Sequence, residues 1–366
     1  MSNKIALIVG VRPEFIQSTP LFRELEKYYD DVFIIHTGQH YDYEMSKIFF
    51  EDLKLPKPRY YLSVGSATPG EQTGEMLKRI ERVLLDETPN LVVVFGDTNT
   101  TLAGALAATK LHIPVAHVES GMRSFDKSMP EEINRIIVDH ISDILFVPTR
   151  SGIKNLKKEG INENVYLTGD ITVEALLKNL KVAEVKSKIL EQLNVTRKGY
   201  IIVTVHREKN TTSYERLKSI TNALVRISEV NDLDVIFPIH PRTKKYLIQY
   251  KLWEKLRDSK VRVISPLGYL DFIKLLKYSA KILTDSGGIQ KEAYILKVPC
   301  ITLRDVTEWV ETVETGWNIL VGTKEDKIVE AALGFDPTSR PHPPIFGKGN
   351  ASKNMANIIR DFLRGD

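Results

Sequence analysis

The chain has 366 residues, too many for one typical core and enough for two domains of roughly 150–180 residues each. Its 51 basic and 47 acidic residues leave a net charge of +4 with no basic run, which argues against a nucleic-acid partner and fits a mildly positive cleft for a small anion. No apolar stretch reaches the ~20 residues of a membrane span, and the single cysteine, Cys300, excludes an intrachain disulfide and points to a reducing, cytoplasmic home.

Lys4–Val9 reads as a first strand, being too short for a secretory leader and lacking a cleavage pattern. Buried-strand candidates then recur between helical stretches at Val32–His36, Leu91–Phe95, Val115–Val118, Ile144–Val147 and Val165–Thr168. A polar, lysine-rich stretch from Leu177 to Lys198 follows. The rhythm then restarts at Tyr200–Val205, Val235–Ile239, Val261–Ile264, Lys281–Thr284, Cys300–Leu303 and Ile319–Val321. Continuous β-branched runs, rather than alternating ones, predict parallel strands covered on both faces. Strand alternating with helix over the whole length gives an α/β chain. The reading is two doubly wound, Rossmann-like domains, 1–172 and 173–349, with a final helix over 350–366. Such sheets carry their chemistry at the carboxyl ends of the strands, so the cleft between the domains is the expected site.

The strongest local signal is Thr284-Asp285-Ser286-Gly287-Gly288-Ile289-Gln290-Lys291-Glu292, a strand running through a glycine turn into a helix. Such a turn aims backbone N–H groups and the positive end of a helix at one spot, which suits a diphosphate. Glu292 is expected in the first helical turn, placed to meet ribose hydroxyls. The bland alternative is a simple turn with a helix-favouring carboxylate.

Charged residues also follow other strands. Arg12 follows the first strand, with Pro13 suited to the first helical turn. Asp97 follows Leu91–Phe95, Glu119 follows Val115–Val118, and Glu131 opens a helix that carries Arg135. His206-Arg207 and His240-Pro241-Arg242 follow two strands of the second half. Each has a structural alternative: Asp97 as a helix N-cap, Glu131 paired with Arg135 at i,i+4, His206 as a core histidine. Six ionisable groups at strand ends or helix starts are costly to bury without purpose and point to an enzyme cleft. No Gly-x-x-x-x-Gly-Lys-[Ser/Thr] loop, Gly-x-Gly-x-x-Gly fingerprint, histidine pair or cysteine cluster supports an ATPase, a nicotinamide enzyme or a metal site.

Taken together, Gly10-Val11-Arg12-Pro13-Glu14, Thr37-Gly38-Gln39-His40, Gly96-Asp97-Thr98, His117-Val118-Glu119-Ser120-Gly121-Met122-Arg123, Pro130-Glu131-Glu132-Ile133-Asn134-Arg135, Val205-His206-Arg207-Glu208, His240-Pro241-Arg242 and the Asp285–Glu292 segment resemble the non-hydrolysing UDP-N-acetylglucosamine 2-epimerases over almost the whole chain. The resemblance implies a GT-B-like fold, a UDP-amino-sugar substrate, no cofactor, a homodimer, and a last helix packed on the first domain. It places UDP on Ser286, Gly287, Gly288 and Glu292, with Phe272 beside uracil and Arg12 near the phosphates. Arg135 and His240 fall in its motifs as substrate contacts, and Asp97, Glu119, Glu131 and His206 match its catalytic positions. The chain departs from the bacterial pattern at Gln17, where many members carry lysine, at Trp309, where they carry arginine, and at Glu71, where some carry an arginine tied to a second substrate molecule. Hydrolysing 2-epimerases, epimerases of 2,3-diacetamido UDP-sugars and GT-B glycosyltransferases are the alternatives.

Overall fold

A computed structural model describes residues 3–39, 56–230 and 232–365, and of Arg12 the backbone alone. His40, in one of the motifs, lies outside the described residues. The chain divides into two compact units, one of residues 1–177 with 345–366, the other of residues 178–344, the division falling inside the helix Ile171–Lys186.

The first unit holds β1 (Lys4–Val9), β2 (Asp31–His36), β3 (Tyr60–Tyr61), β4 (Leu91–Phe95), β5 (Val115–Val118), β6 (Ile144–Val147) and β7 (Val165–Leu167). They form one parallel sheet in the order β3-β2-β1-β4-β5-β6-β7. Residues 5–9 and 91–95 are wholly buried, as a strand covered on both faces requires. Ile8, Val92 and Val94 meet Met76, Ile80 and Leu84 of helix Pro69–Glu87 and the alanines of helix Asn99–Lys110. Gly104 lets that second helix lie close to the sheet: a Cβ there would come within 3.1 Å of Val94 and 3.2 Å of Ile8. The last helix, Ala351–Arg364, packs on helix Arg12–Leu25, and the Ser352 N–H donates to Glu174 at 2.9 Å.

The second unit repeats the plan. Its strands β8 (Tyr200–Thr204), β9 (Asp234–Pro238), β10 (Arg262–Ile264), β11 (Lys281–Thr284), β12 (Cys300–Thr302) and β13 (Asn318–Leu320) run parallel in the order β10-β9-β8-β11-β12-β13. Val203, Phe237 and Ile301 pack with Leu217, Ile220 and Leu224 of helix Tyr214–Val230 and with Ile328 of helix Glu325–Gly334. Cys300 is buried on β12, where burial pushes its thiol up to about 12. It is a core residue.

In each sheet the strand order reverses once, between β1 and β4 and between β8 and β11. Doubly wound sheets bind ligands beyond the strand ends at that reversal. The segments beyond the strand ends at the two reversals are Gly10–Glu14 with Gly96–Thr98, and Val205–Arg207 with Asp285–Gly288.

Candidate active site

In the first unit, Thr98 is the N-cap of helix Asn99–Lys110, its hydroxyl accepting from the Thr100 and Thr101 N–H groups. That settles the alternative for Asp97, which is no cap. Its carboxylate forms an ion pair with Arg135 and its carbonyl accepts from Asn134 Nδ2 at 2.9 Å. Arg135 also pairs with Glu132 at 3.0 Å. Glu132 is fixed in turn by Ser124 N, Ser124 Oγ and Phe125 N. Although burial opposes it, these bonds and Arg135 hold Glu132 below the usual carboxylate range. The helix Pro130–Ile141 thus brings Arg135 to Asp97, while Glu131, in its first turn, makes no hydrogen bond or ion pair among the described residues.

Glu119 directly follows β5 with φ at +79°, a left-handed conformation unusual for a side chain of this size. Such backbone strain concentrates at functional sites. Its carboxylate accepts from Gln17 Nε2 at 3.1 Å, and the same amide donates to Thr172 Oγ1 at 3.1 Å. Where a lysine would put a charge against Glu119, this chain puts a neutral amide.

Glu14 is a buried acid that the sequence did not single out. It accepts from the Gly10 and Val11 N–H groups at 2.6 and 3.3 Å and from Thr98 Oγ1 at 2.6 Å. Burial raises its pKa from 4.5 to about 7, against those bonds and with some help from Asp97. The native carboxyl holds its proton to about pH 7, whereas the unfolded chain releases it near 4.5, so stability from this group is lost as pH rises between the two. Glu14→Gln, which cannot ionise, should keep its melting temperature from about pH 5 to about pH 8 better than the wild type does. Calorimetric pH series that coincide for the two proteins would refute this.

In the second unit the turns converge on Asp285, which is wholly buried. It accepts from His206 N at 3.1 Å, Arg207 N at 3.0 Å and Asn210 Nδ2 at 3.1 Å. The His206 ring stands 3.4 Å from Asp285 and 5.6 Å, centroid to centroid, from His240. His206 is part-exposed and so is no core histidine. Its partial burial lowers its pKa, Asp285 opposes that, and Arg207 and Arg242 reinforce it. His240 caps helix Pro241–Gln249 through Nδ1, which accepts from Arg242 N at 3.1 Å.

Ser286 is the N-cap of helix Gly287–Ile295, with no side-chain cap bond and no acid in the first turn. The helix therefore starts with its positive end uncovered by a carboxylate of its own. Here one expectation is corrected: Glu292 is the sixth helical residue, in the second turn, because the helix begins at Gly287. It accepts from Tyr269 Oη at 3.1 Å, and Tyr269 opens the helix Tyr269–Tyr278 that carries half-buried Phe272. Trp309 is buried under the Lys291 ammonium, 4.4 Å from its ring centroid, and Glu71 is exposed in the first turn of helix Pro69–Glu87. Arg12 opens helix Arg12–Leu25, but its side chain lies outside the described residues.

The glycines give a paired prediction. A Cβ on Gly287 would sit 2.1 Å from Glu308 Oε1, whose carboxylate is buried beside Arg304, whereas one on Gly288 would meet open space. Gly287→Ala should weaken UDP binding by about tenfold or more with a lower melting temperature, since a shift costs about 1–3 kcal/mol. Gly288→Ala should melt as wild type, and any loss of affinity in it reports a ligand at the helix start. Titration calorimetry with UDP separates the two, and tight binding by both variants would remove this turn from the site.

Two Rossmann-ordered sheets in succession place the protein in the GT-B-like class of α/β folds. Three acids sit at the first reversal or on the helix beside it, and a glycine helix start lies at the second. Residues 23–360 match the UDP-N-acetylglucosamine 2-epimerase family, and the chain belongs to it. A Methanococcus maripaludis protein named as a UDP-N-acetylglucosamine 2-epimerase homolog is 53% identical, over 98% of this chain and 99% of that one. The UDP-2,3-diacetamido-2,3-dideoxy-D-glucuronate 2-epimerase of Pseudomonas aeruginosa is 46% identical, over 97% of this chain and 99% of that one. The crystal structure of Methanocaldococcus jannaschii UDP-GlcNAc 2-epimerase with UDP-GlcNAc and UDP aligns with a TM-score of 0.91 at 50% identity, covering 98% of this chain and 99% of that one. The enzyme class is therefore an isomerase.

Proposed function

We propose that this chain interconverts UDP-N-acetylglucosamine and UDP-N-acetylmannosamine without net hydrolysis. The observation that carries the reading is the division of labour between the two strand-order reversals: a glycine helix start that the Ser286 side chain does not cap, for the diphosphate, and Asp97, Glu119 and Glu131 for protons. The C2 proton of the sugar has no adjacent carbonyl and is not acidic. Breaking the C1–O bond first, with the electron pair leaving on UDP, builds cationic character that makes this proton removable. The neutral product is 2-acetamidoglucal, with UDP held beside it. Protonation of C2 from the other face and return of the UDP oxygen to C1 complete the epimerisation, which is redox-neutral and needs no cofactor.

The three carboxylates stabilise the cation-like state and shuttle the proton, acting as a coupled set. His206 and Arg12 meet the charge on the departing diphosphate. Ser286, Gly287 and Gly288 hold the diphosphate, Glu292 the ribose and Phe272 the uracil, with Arg135 and His240 completing the substrate contacts. A homodimer working in the cytoplasm is part of the same reading.

The Pseudomonas aeruginosa relative supports a second substrate, a 2,3-diacetamido uronic UDP-sugar, and a substrate panel separates the two. The decisive test follows UDP-N-acetylglucosamine in D₂O by proton NMR. UDP-N-acetylmannosamine with deuterium at C2 and no accumulating UDP is expected. Stoichiometric UDP with free N-acetylmannosamine would make it a hydrolysing enzyme, and transfer that requires an acceptor would make it a glycosyltransferase.

A further inference from the structure

His117 is wholly buried in the middle of the first sheet, an expensive place for an imidazole. Both of its ring nitrogens are engaged. Nδ1 lies 2.7 Å from Asp139 Oδ1 and Nε2 lies 2.8 Å from the carbonyl oxygen of Gly96. A carbonyl oxygen can only accept. Asp139 also accepts from Arg123 Nη1 at 2.7 Å and Gly121 N at 3.0 Å. Burial works against its charge, but His117 and Arg123 outweigh burial and hold it below the usual range. The hydrogen on Nε2 is therefore donated to Gly96, while Nδ1 pairs with the Asp139 carboxylate.

The partners of this ring are what give it a role. Gly96 is the residue before Asp97, and Gly121 is the second residue after Glu119. Both glycines have positive φ, +65° and +77°, and Gly121 sits so close to Gly152 that a Cβ there would come within 2.6 Å of its carbonyl oxygen. Each turn is therefore sharp and closely fitted. The ring holds one turn directly and the other through Asp139. Arg123 anchors the assembly from outside with a fork to Glu159 at 2.8 and 2.7 Å.

We propose that His117 is a positioning residue, a hydrogen-bonded tie that fixes the turn bearing Asp97 relative to the turn bearing Glu119. It touches no substrate, and its effect on turnover passes through the spacing of those two carboxylates. This deepens the epimerase reading and rests on it. Reacting groups misplaced by about 1 Å lose on the order of 10²-fold in rate, so a loosened tie has a large kinetic effect.

The test uses His117→Asn, which retains reach toward Asp139, and His117→Gln, which retains reach toward Gly96. Both should bind UDP by calorimetry within about twofold of wild type, while kcat falls about 10–100-fold with KM little changed. Loss of UDP affinity in proportion to kcat would mark a purely structural role and overturn the proposal, as would wild-type kcat in either variant. If neither variant folds, the ¹⁵N spectrum of the wild-type imidazole still decides. A hydrogen on Nε2 held in the bond to Gly96 is expected, and a bare Nε2 overturns the tie. A wild type that binds UDP but epimerises no UDP-amino sugar refutes the function proposed above, and the hydrogen on Nε2 is read independently of it.

Discussion

Asp97→Asn is expected to lower turnover of UDP-N-acetylglucosamine by about 10²–10⁴-fold, the range for removing a proton-transfer group. Asn is nearly isosteric, and its Oδ1 can still accept from Arg135, so the turn should keep its shape. What disappears is the charge that would stabilise a cation-like sugar and the capacity to carry a proton. The surroundings favour a clean result. Thr98, not Asp97, caps the following helix, so the helix start is untouched. Arg135 is braced by Glu132, which three donors from Ser124 and Phe125 hold in place. UDP affinity should therefore stay within about threefold, because the turn proposed to hold the diphosphate belongs to the other sheet. Steady-state kinetics with C2 deuterium exchange read both quantities, and turnover near the wild-type rate would remove Asp97 from the catalytic set.

Much of this architecture is legible in the chain because continuous β-branched runs, such as Ile5–Val9 and Leu91–Phe95, have no stable home except a strand covered on both sides. β3 escapes that logic. Tyr60–Tyr61 is a strand only because the edge of β2 offers its backbone, with Ile35 opposite Tyr60 and His36 opposite Tyr61, and no local pattern records it. The acids at strand ends are visible for the same reason as the strands, since they break apolar runs. Their partners are not. Glu131, Asn134, Arg135 and Asp139 share one helix, yet Arg135 and Asn134 turn to Asp97 while Asp139 turns to His117. The misplacement of Glu292 is of a different kind. Whether a helix starts at the glycines or just after them decides which turn Glu292 occupies.

Replacing Asp285 by alanine should damage the second unit more than any change to the helix start itself. One carboxylate accepts from His206 N, Arg207 N and Asn210 Nδ2, three donors that come from a turn some 75–79 residues earlier in the chain. Asp285→Ala would leave these donors without their acceptor, at about 1–3 kcal/mol for each that water cannot reach. Even about 3 kcal/mol is a large share of the 5–15 kcal/mol that typically holds a domain folded. A unit of this size loses about 2–4 °C per kcal/mol, so the melting temperature should drop by roughly 6–12 °C. Asp285→Asn, which keeps one acceptor but turns a second donor toward the cluster, should fall between. The electrostatic consequence has a definite sign. Asp285 is the group that opposes the downward shift of His206, while burial, Arg207 and Arg242 drive it. Without the carboxylate, His206 is pushed further toward its neutral form, and a neutral ring is a poorer partner for a departing diphosphate. Below the melting range, kcat at neutral pH should therefore fall more than UDP affinity does, and should recover partly as pH is lowered and His206 is protonated. Scanning calorimetry and a pH–rate profile on the full chain measure these effects. An Asp285→Ala protein with the wild-type melting temperature would show that this carboxylate does not hold the turn, and an unchanged pH–rate profile would show that it does not set the charge of His206.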